Sequence, residues 1–305
     1  MSLNNSKYKS EIILIFVTIL WGATFVIVKE ALQEISPMLF IAVRFIITAL
    51  FLLPFVWKQK FDLKSVYPGI LLGILLFAGF ATQTVGLKFT SATKSGFLTG
   101  TSVIMIPLLQ ILIEKRPPTK GVVLGTLIVM LGITFLSSGG NSVSTLLQDF
   151  GSNFNFGDGL TLICAFFFAL YIIYLDVETK KHNFWILLFV QIITTMVLAI
   201  LFAVIFSTTG LEEIKYSYST KLILAILYTA IFATLITTAL MTKYQKNITP
   251  TKAGIIYSFE PLFAALFAFF LLGEKITNFG YFGAGLILLG LLVSELYESM
   301  FRKNE

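Results

Sequence analysis

The sequence predicts an all-α integral membrane protein: ten transmembrane helices arranged as two inverted five-helix repeats. Three observations carry this expectation: the composition, ten long apolar runs, and an internal duplication. Of 305 residues, 57% are hydrophobic and only 12% charged, with a mean hydropathy of +0.90. A water-soluble domain carries about a quarter charged residues to keep its surface wet. The excess apolar surface here must face lipid.

Ten segments are long and apolar enough to cross a hydrocarbon core that takes about 20 helical residues. They are Ile12–Val28, Pro37–Trp57, Tyr67–Leu87, Ser95–Ile113, Gly121–Leu136, Gly159–Leu175, Phe184–Phe206, Leu222–Met241, Ala253–Leu272 and Ile276–Val293. The runs are continuous and do not alternate with period two, so they read as helices and not as barrel strands. Lys7 and Lys9 precede the first span as in a signal peptide, but no small-x-small cleavage site follows and the run continues to Lys29. It is expected to stay as a full span. Short connections leave no room for a soluble module. The longest, Ser137–Asp158, is rich in Gly, Ser and Asn and reads as the linker between halves. The expected units are residues 1–140 and 141–305.

Basic residues near the span ends set the orientation. With a cytoplasmic N-terminus, 15 of the 22 Lys and Arg fall inside, 6 outside, and Arg44 lies within a span. Both termini are therefore expected in the cytoplasm, with the chain in the cell membrane. This distribution accounts for the net charge of +6 without a nucleic-acid partner.

The duplication appears when the chain is slid against itself. At an offset of 147, Trp21-Gly22 meets Phe168-Ala169 and Arg44 meets Gln191. At 158, Thr93-Lys94-Ser95-Gly96 meets Thr251-Lys252-Ala253-Gly254, then Gly125 meets Gly283 and Gly132 meets Gly290. Each half holds five spans, an odd number, so the second half enters the membrane inverted. Inverted repeats suit secondary transporters, whose halves exchange roles around a site near the midplane.

Polar residues inside the spans are the candidate site. Glu260 lies seven residues into span nine, about 10 Å along the axis at 1.5 Å per residue. A carboxylate there should face the bundle interior or a wet cavity. Pro261 removes a helical donor beside it, and Tyr257 lies one turn before it. The carboxylate is either a site for a proton or a substrate, or a structural carboxylate paired to an Arg or capping a broken helix. Arg44, seven residues after Pro37, either snorkels, holds a substrate carboxylate, or serves structurally in an ion pair or hydrogen bonds. Trp21, Phe25 and Lys29 form one stripe, which is either packing or cavity lining. The repeat equivalent of Trp21, Phe168, precedes Tyr171 by one turn. Gln83 and Thr82 interrupt an apolar span and read as lining or as interhelical hydrogen bonding. Lys94 and Lys252 read as helix-end lysines that reach headgroups. The expected substrate-binding set is Trp21, Arg44, Gln83, Tyr171, Tyr257 and Glu260.

These motifs resemble the drug/metabolite transporter superfamily, EamA type. The resemblance rests on Trp21-Gly22 with Phe25 and Lys29; Pro37 with Arg44; Gly86-Leu87 with Thr90, Ala92 and Pro107; and Glu260-Pro261 followed by Leu272-Gly273-Glu274-Lys275. It covers essentially the whole chain and implies a ten-helix carrier of small metabolites, often an exporter of amino acids or toxic compounds. One departure stands out. Pro107 follows Gly96 by eleven residues, whereas Pro261 follows Gly254 by seven. The irregularities of spans four and nine are therefore expected at unequal depths.

The leading function is a secondary active exporter of small metabolites such as amino acids, working by alternating access. The alternatives are a facilitative uniporter or importer of a small organic cation or other metabolite, a membrane-embedded enzyme, and a channel. One cysteine (Cys164) and one histidine (His182, in a loop) argue against a disulfide scaffold, a metal centre and grouped acid–base chemistry. No G-x-x-x-x-G-K-[ST] loop is present for nucleotide phosphates. No cofactor is expected. The expected partners are a small-molecule substrate, the bilayer and a coupling proton, with the chain as a monomer or homodimer.

Overall fold

The computed structural model describes residues 2–60, 62–115, 117–137, 144, 154–272 and 277–301. Most of the Gly/Ser/Asn-rich linker lies outside them. So do Gly273, Glu274, Ile276 and four of the basic residues counted for orientation, Arg116, Lys275, Arg302 and Lys303. The described residues are helical throughout their apolar runs, and no strand forms among them; an isolated bridge joins Ile35 to Tyr216.

Span one is α1 (Ser2–Gly22) and α2 (Thr24–Ala31), span two α3 (Pro37–Val56), and span three α4 (Val66–Phe89). Span four is α5 (Ala92–Gly100) and α6 (Ser102–Glu114), and span five α7 (Lys120–Ser137). In the second half, α8 (Phe156–Thr179) and α9 (Phe184–Thr208) form spans six and seven. Span eight is α10 (Thr220–Ala230), a π-helical turn (Ile231–Ile236) and α11 (Thr237–Tyr244). Spans nine and ten are α12 (Pro250–Tyr257) with α13 (Glu260–Leu272), and α14 (Asn278–Phe301). Seven of these spans are long and apolar enough to cross a bilayer whole. The apolar stretches Lys120–Leu136 and Asn278–Ser294 are shorter, and span nine is divided.

Side-chain caps start the helices where the orphan N–H groups would otherwise go unpaired. The Asn155 side chain accepts from Asp158 N while Asp158 Oδ2 accepts from Asn155 N at 2.9 Å, a full capping box on α8. Asn183 caps α9 and Ser219 caps α10. The caps of α5 and α12 are repeat equivalents: Ser91 Oγ accepts from Lys94 N, and Thr249 Oγ1 from Lys252 N. Helix α3 borrows its cap from another loop, with Glu212 Oε1 accepting from Met38 N at 3.1 Å. Burial holds the Glu212 carboxyl above the usual carboxylate range, partly offset by that bond.

Packing carries the two-fold signature of the duplication. A methyl group at Gly125 would stand 2.6 Å from Gly290 O, and one at Gly132 would stand 2.7 Å from Gly283 O. Gly125 is equivalent to Gly283, and Gly132 to Gly290, so α7 and α14 touch antiparallel through each other's counterparts. Spans four and nine also cross antiparallel: Gly100 meets Pro261, Ile106 meets Gly254, and Gln110 accepts from Thr251.

One expectation is corrected here. The breaks in spans four and nine do not lie at unequal depths. The second half-helices begin at Ser102 and Glu260, which are separated by the repeat offset of 158. Pro107 sits inside α6, five residues past the break in span four, whereas Pro261 follows directly on the break in span nine, so the two prolines are not equivalent markers. The backbone turns at Thr101 (φ −62°, ψ −14°) and Ser258 (φ −67°, ψ −3°) in nearly the same way.

Candidate functional site

All six residues singled out in the sequence line one central cavity. Trp21, Arg44, Gln83, Tyr171, Tyr257 and Glu260 come together there with Thr24, Phe80, Thr99, Ser102, Phe168 and Thr238. Spans one, two, three, four, six, eight and nine contribute to the lining. The cavity measures about 70 Å³, less than half the roughly 150 Å³ that takes up a benzene. It is contracted, with room for water but not for a metabolite.

Most of the polar groups around it are already committed. Trp21 Nε1 donates to Ala233 O at 3.2 Å, and its ring lies 5.5 Å from that of Tyr257. Arg44 donates from Nε to Thr234 Oγ1 at 2.6 Å and from Nη2 to Ala233 O at 3.1 Å, and its guanidinium lies 4.5 Å from the Phe80 ring. The π turn makes this possible. Both acceptors, Ala233 O and Thr234 Oγ1, lie within the π turn, and Thr234 Oγ1 itself donates to Thr229 O at 2.8 Å. Arg44 is thus held by hydrogen bonds, and no carboxylate pairs with it among the described residues. Gln83 Nε2 donates to Thr99 Oγ1 at 3.2 Å, bridging spans three and four.

Tyr171 and Tyr257 each donate their hydroxyl to a buried glutamine, Gln191 and Gln245, at 2.8 Å. Gln191 passes its amide to Thr242 Oγ1, and Gln245 passes its own to Ile172 O. These two glutamines fix the tyrosines. Gln191 was flagged only as the counterpart of Arg44, and nothing in the sequence marked Gln245.

Glu260 is different. It opens α13 in the first turn, where a helix N-terminus favours a carboxylate. No hydrogen bond or ion pair engages its side chain among the described residues. It is the one charged group of the lining left to face the cavity. Its repeat equivalent, Ser102, lines the same cavity and was not anticipated.

Three lysines depart from their sequence reading. Lys29 Nζ caps the end of α4, donating to Leu87 O at 2.6 Å and Thr90 O at 2.7 Å. Lys94 and Lys252 do not reach headgroups. Lys94 Nζ pairs with Asp158 Oδ2 at 2.6 Å, and Lys252 Nζ with Glu11 Oε1 at 2.7 Å. Among the described residues no group of three or more His, Cys, Asp or Glu is placed to hold a metal ion.

Comparison with known proteins agrees with this architecture. A solved crystal structure superposes with a TM-score of 0.76 over 95% of this chain and 98% of its own, at 16% identity, which speaks to the fold alone. An uncharacterized transporter of Archaeoglobus fulgidus is 38% identical over 283 residues, 93% of this chain and 84% of the relative. A second from the same organism is 24% identical over 94% and 97% of the two chains, and the uncharacterized transporter YoaV of Bacillus subtilis is 24% identical over 92% and 94%. The EamA-like transporter family model matches twice, over residues 9–138 and 155–296, and so the chain belongs to the EamA-like transporter family of multi-span membrane proteins.

Proposed function

We propose that the protein is a secondary active carrier, working as an exporter of small metabolites such as amino acids by alternating access. In this reading residues 1–140 and 141–305 are inverted units, both termini face the cytoplasm, and the chain sits in the cytoplasmic membrane. The six lining residues form the substrate site, with Glu260 taking a positive charge, either the substrate's amine or a coupling proton. One observation carries the proposal: a carboxylate with no side-chain partner among the described residues faces a contracted cavity that both halves line. A buried charge is costly to keep unless a ligand or proton uses it. Arg44 already has its bonds, so it shapes the cavity and leaves the charge-binding role to Glu260.

The test is Glu260→Gln in proteoliposomes, offered a panel of amino acids, amines, nucleosides and sugars with and without a pH gradient. A charge-assisted hydrogen bond is worth about 1.5–3 kcal/mol, a factor of about 10–150. Amine binding at Glu260 predicts that counterflow and gradient-driven accumulation both fall by that factor. Proton coupling predicts loss of accumulation with exchange retained. A folded variant that is normal in both assays removes Glu260 from the site.

A further inference from the structure

The two lysine–carboxylate pairs are related to each other by the duplication. Glu11 and Asp158 are 147 residues apart, the offset of spans one and six, and Lys94 and Lys252 are 158 apart, the offset of spans four and nine. Each pair joins one half to the other: Lys94 of the first to Asp158 of the second, and Lys252 of the second to Glu11 of the first.

The pairs stand at opposite ends of the cavity. Spans four and nine cross antiparallel, and Thr251 donates to Gln110, which lies 16 residues beyond Lys94. At 1.5 Å per residue that separates the two lysines by about 24 Å. Five residues past each lysine, about 7.5 Å along its helix, Thr99 and Tyr257 line the central cavity. Lys252 in turn lines a second cavity of about 670 Å³, beside Lys7, Gln110 and Asp176. The Lys252–Glu11 pair therefore stands between a wide vestibule and the contracted centre. Its lysine side chain is 2% exposed, and the Asp158 side chain of the other pair is fully buried. Asp158 also accepts from Thr90 Oγ1 at 2.5 Å.

We infer that these are the two gates of the carrier, each an inter-half ion pair that breaks when its own mouth opens while the other stays closed. Both pairs are formed in this structure, matching a cavity too small for a metabolite. The inference rests on the alternating-access reading above. A charge pair suits a gate because it is strong when dry and weak when water enters, so wetting a mouth helps to release it.

The experiment reads accessibility, independently of transport. In a Cys164→Ala background, Ser102→Cys places a thiol in the cavity for an impermeant reagent applied from either face of oriented vesicles. Asp158 also caps α8, so the lysines carry the substitutions. Lys252→Met should raise labelling from the vestibule face about tenfold and lower it from the opposite face, and Lys94→Met should do the reverse. Exchanging the inner charges, Lys252→Glu with Glu11→Lys, should restore the parental pattern. Where Lys252→Met does not fold, a disulfide between Lys252→Cys and Glu11→Cys, which holds the two segments together in place of the ion pair, should abolish labelling from the vestibule face and stop counterflow, and its reduction should restore both. Unchanged labelling from both faces, or both lysine variants favouring the same face, overturns the gates. If labelling responds as expected but no solute shows counterflow, the gates stand and the carrier reading fails. Counterflow with unresponsive labelling sinks the gates alone.

Discussion

The scaffold and the cavity lining of this protein treat the duplication in opposite ways. In the scaffold, equivalent positions keep equivalent chemistry. Ser91 and Thr249 cap equivalent helices, Lys94 and Lys252 pair across the halves, and glycines repeat along α7 and α14. In the lining, equivalent positions have diverged. Ser102 is equivalent to Glu260, Thr99 to Tyr257, Thr24 to Tyr171 and Arg44 to Gln191. The alternating-access cycle proposed above calls for matched packing and matched pairs in the two halves. The proposed site for a substrate with distinct ends calls for an asymmetric cavity. The π turn belongs to the second group, since the residues equivalent to Ile231–Ile236 lie inside the continuous helix α4.

The largest effect that would break this contrast is a substitution in the shared scaffold. Gly125→Leu and Gly132→Leu push side chains into the Gly290 and Gly283 carbonyls, where not even a methyl fits. Overpacking of this kind costs about 1–3 kcal/mol, and a carbonyl offers no rotamer by which to yield. Both variants should lose monodisperse protein in detergent by size-exclusion chromatography, and Gly285→Ala, which meets nothing within 4 Å, should not. Equal behaviour of all three would mean that the α7–α14 contact is not what holds the halves together.

A smaller effect tests the asymmetric side. Arg44→Gln removes the two donors that hold the π turn at Thr234 and Ala233. Charged hydrogen bonds are worth about 1.5–3 kcal/mol, so the thermal midpoint should fall clearly. Gln191→Ala, at the equivalent position, loses neutral bonds worth about 1 kcal/mol and should fall less. If the Gln191 variant fell as far, the specific role of the arginine on the π turn would be lost.

What the sequence revealed follows the same division. The ten spans were legible because lipid demands long apolar runs, and the six lining residues because polar groups are costly in such runs. The π turn was not legible: Ile231–Ile236 contains no residue that forbids a regular helix, and the Arg44 side chain that bonds to it comes from 190 positions away. Proline is a guide to the break in span nine, where Pro261 opens α13, but not to that in span four, where Pro107 lies inside α6 and the turn comes at Thr101. The ion pairs hid behind a sound generality about lysines at helix ends. Glu11 and Asp158 sit at one repeat offset and the lysines at the other, and neither alignment alone shows that the partners come from opposite halves. Only the packing of span four on span six, and of span nine on span one, brings the partners together.

The smallest effect concerns a contact outside both groups. Glu212, from the loop after span seven, caps α3 with no counterpart in the repeat, because the loop after span two is eleven residues shorter in register. Burial raises its folded-state pKa above the unfolded value, so protonation favours the folded form. The sign follows directly: this group adds most stability below the unfolded pKa, and that contribution is lost as pH rises through the raised folded pKa. At neutral pH the ionised carboxylate is therefore a cost that the cap to Met38 partly repays. Glu212→Gln keeps an oxygen to accept from Met38 N and removes the charge. Its thermal midpoint at pH 7 should equal or slightly exceed the parent's, and the difference should close as pH falls towards 4. Glu212→Ala removes the acceptor as well and should cost about 1 kcal/mol, the usual value of an N-cap. A Gln variant as unstable at pH 7 as the Ala variant would show that the carboxylate charge itself holds the loop on α3, against the desolvation argument.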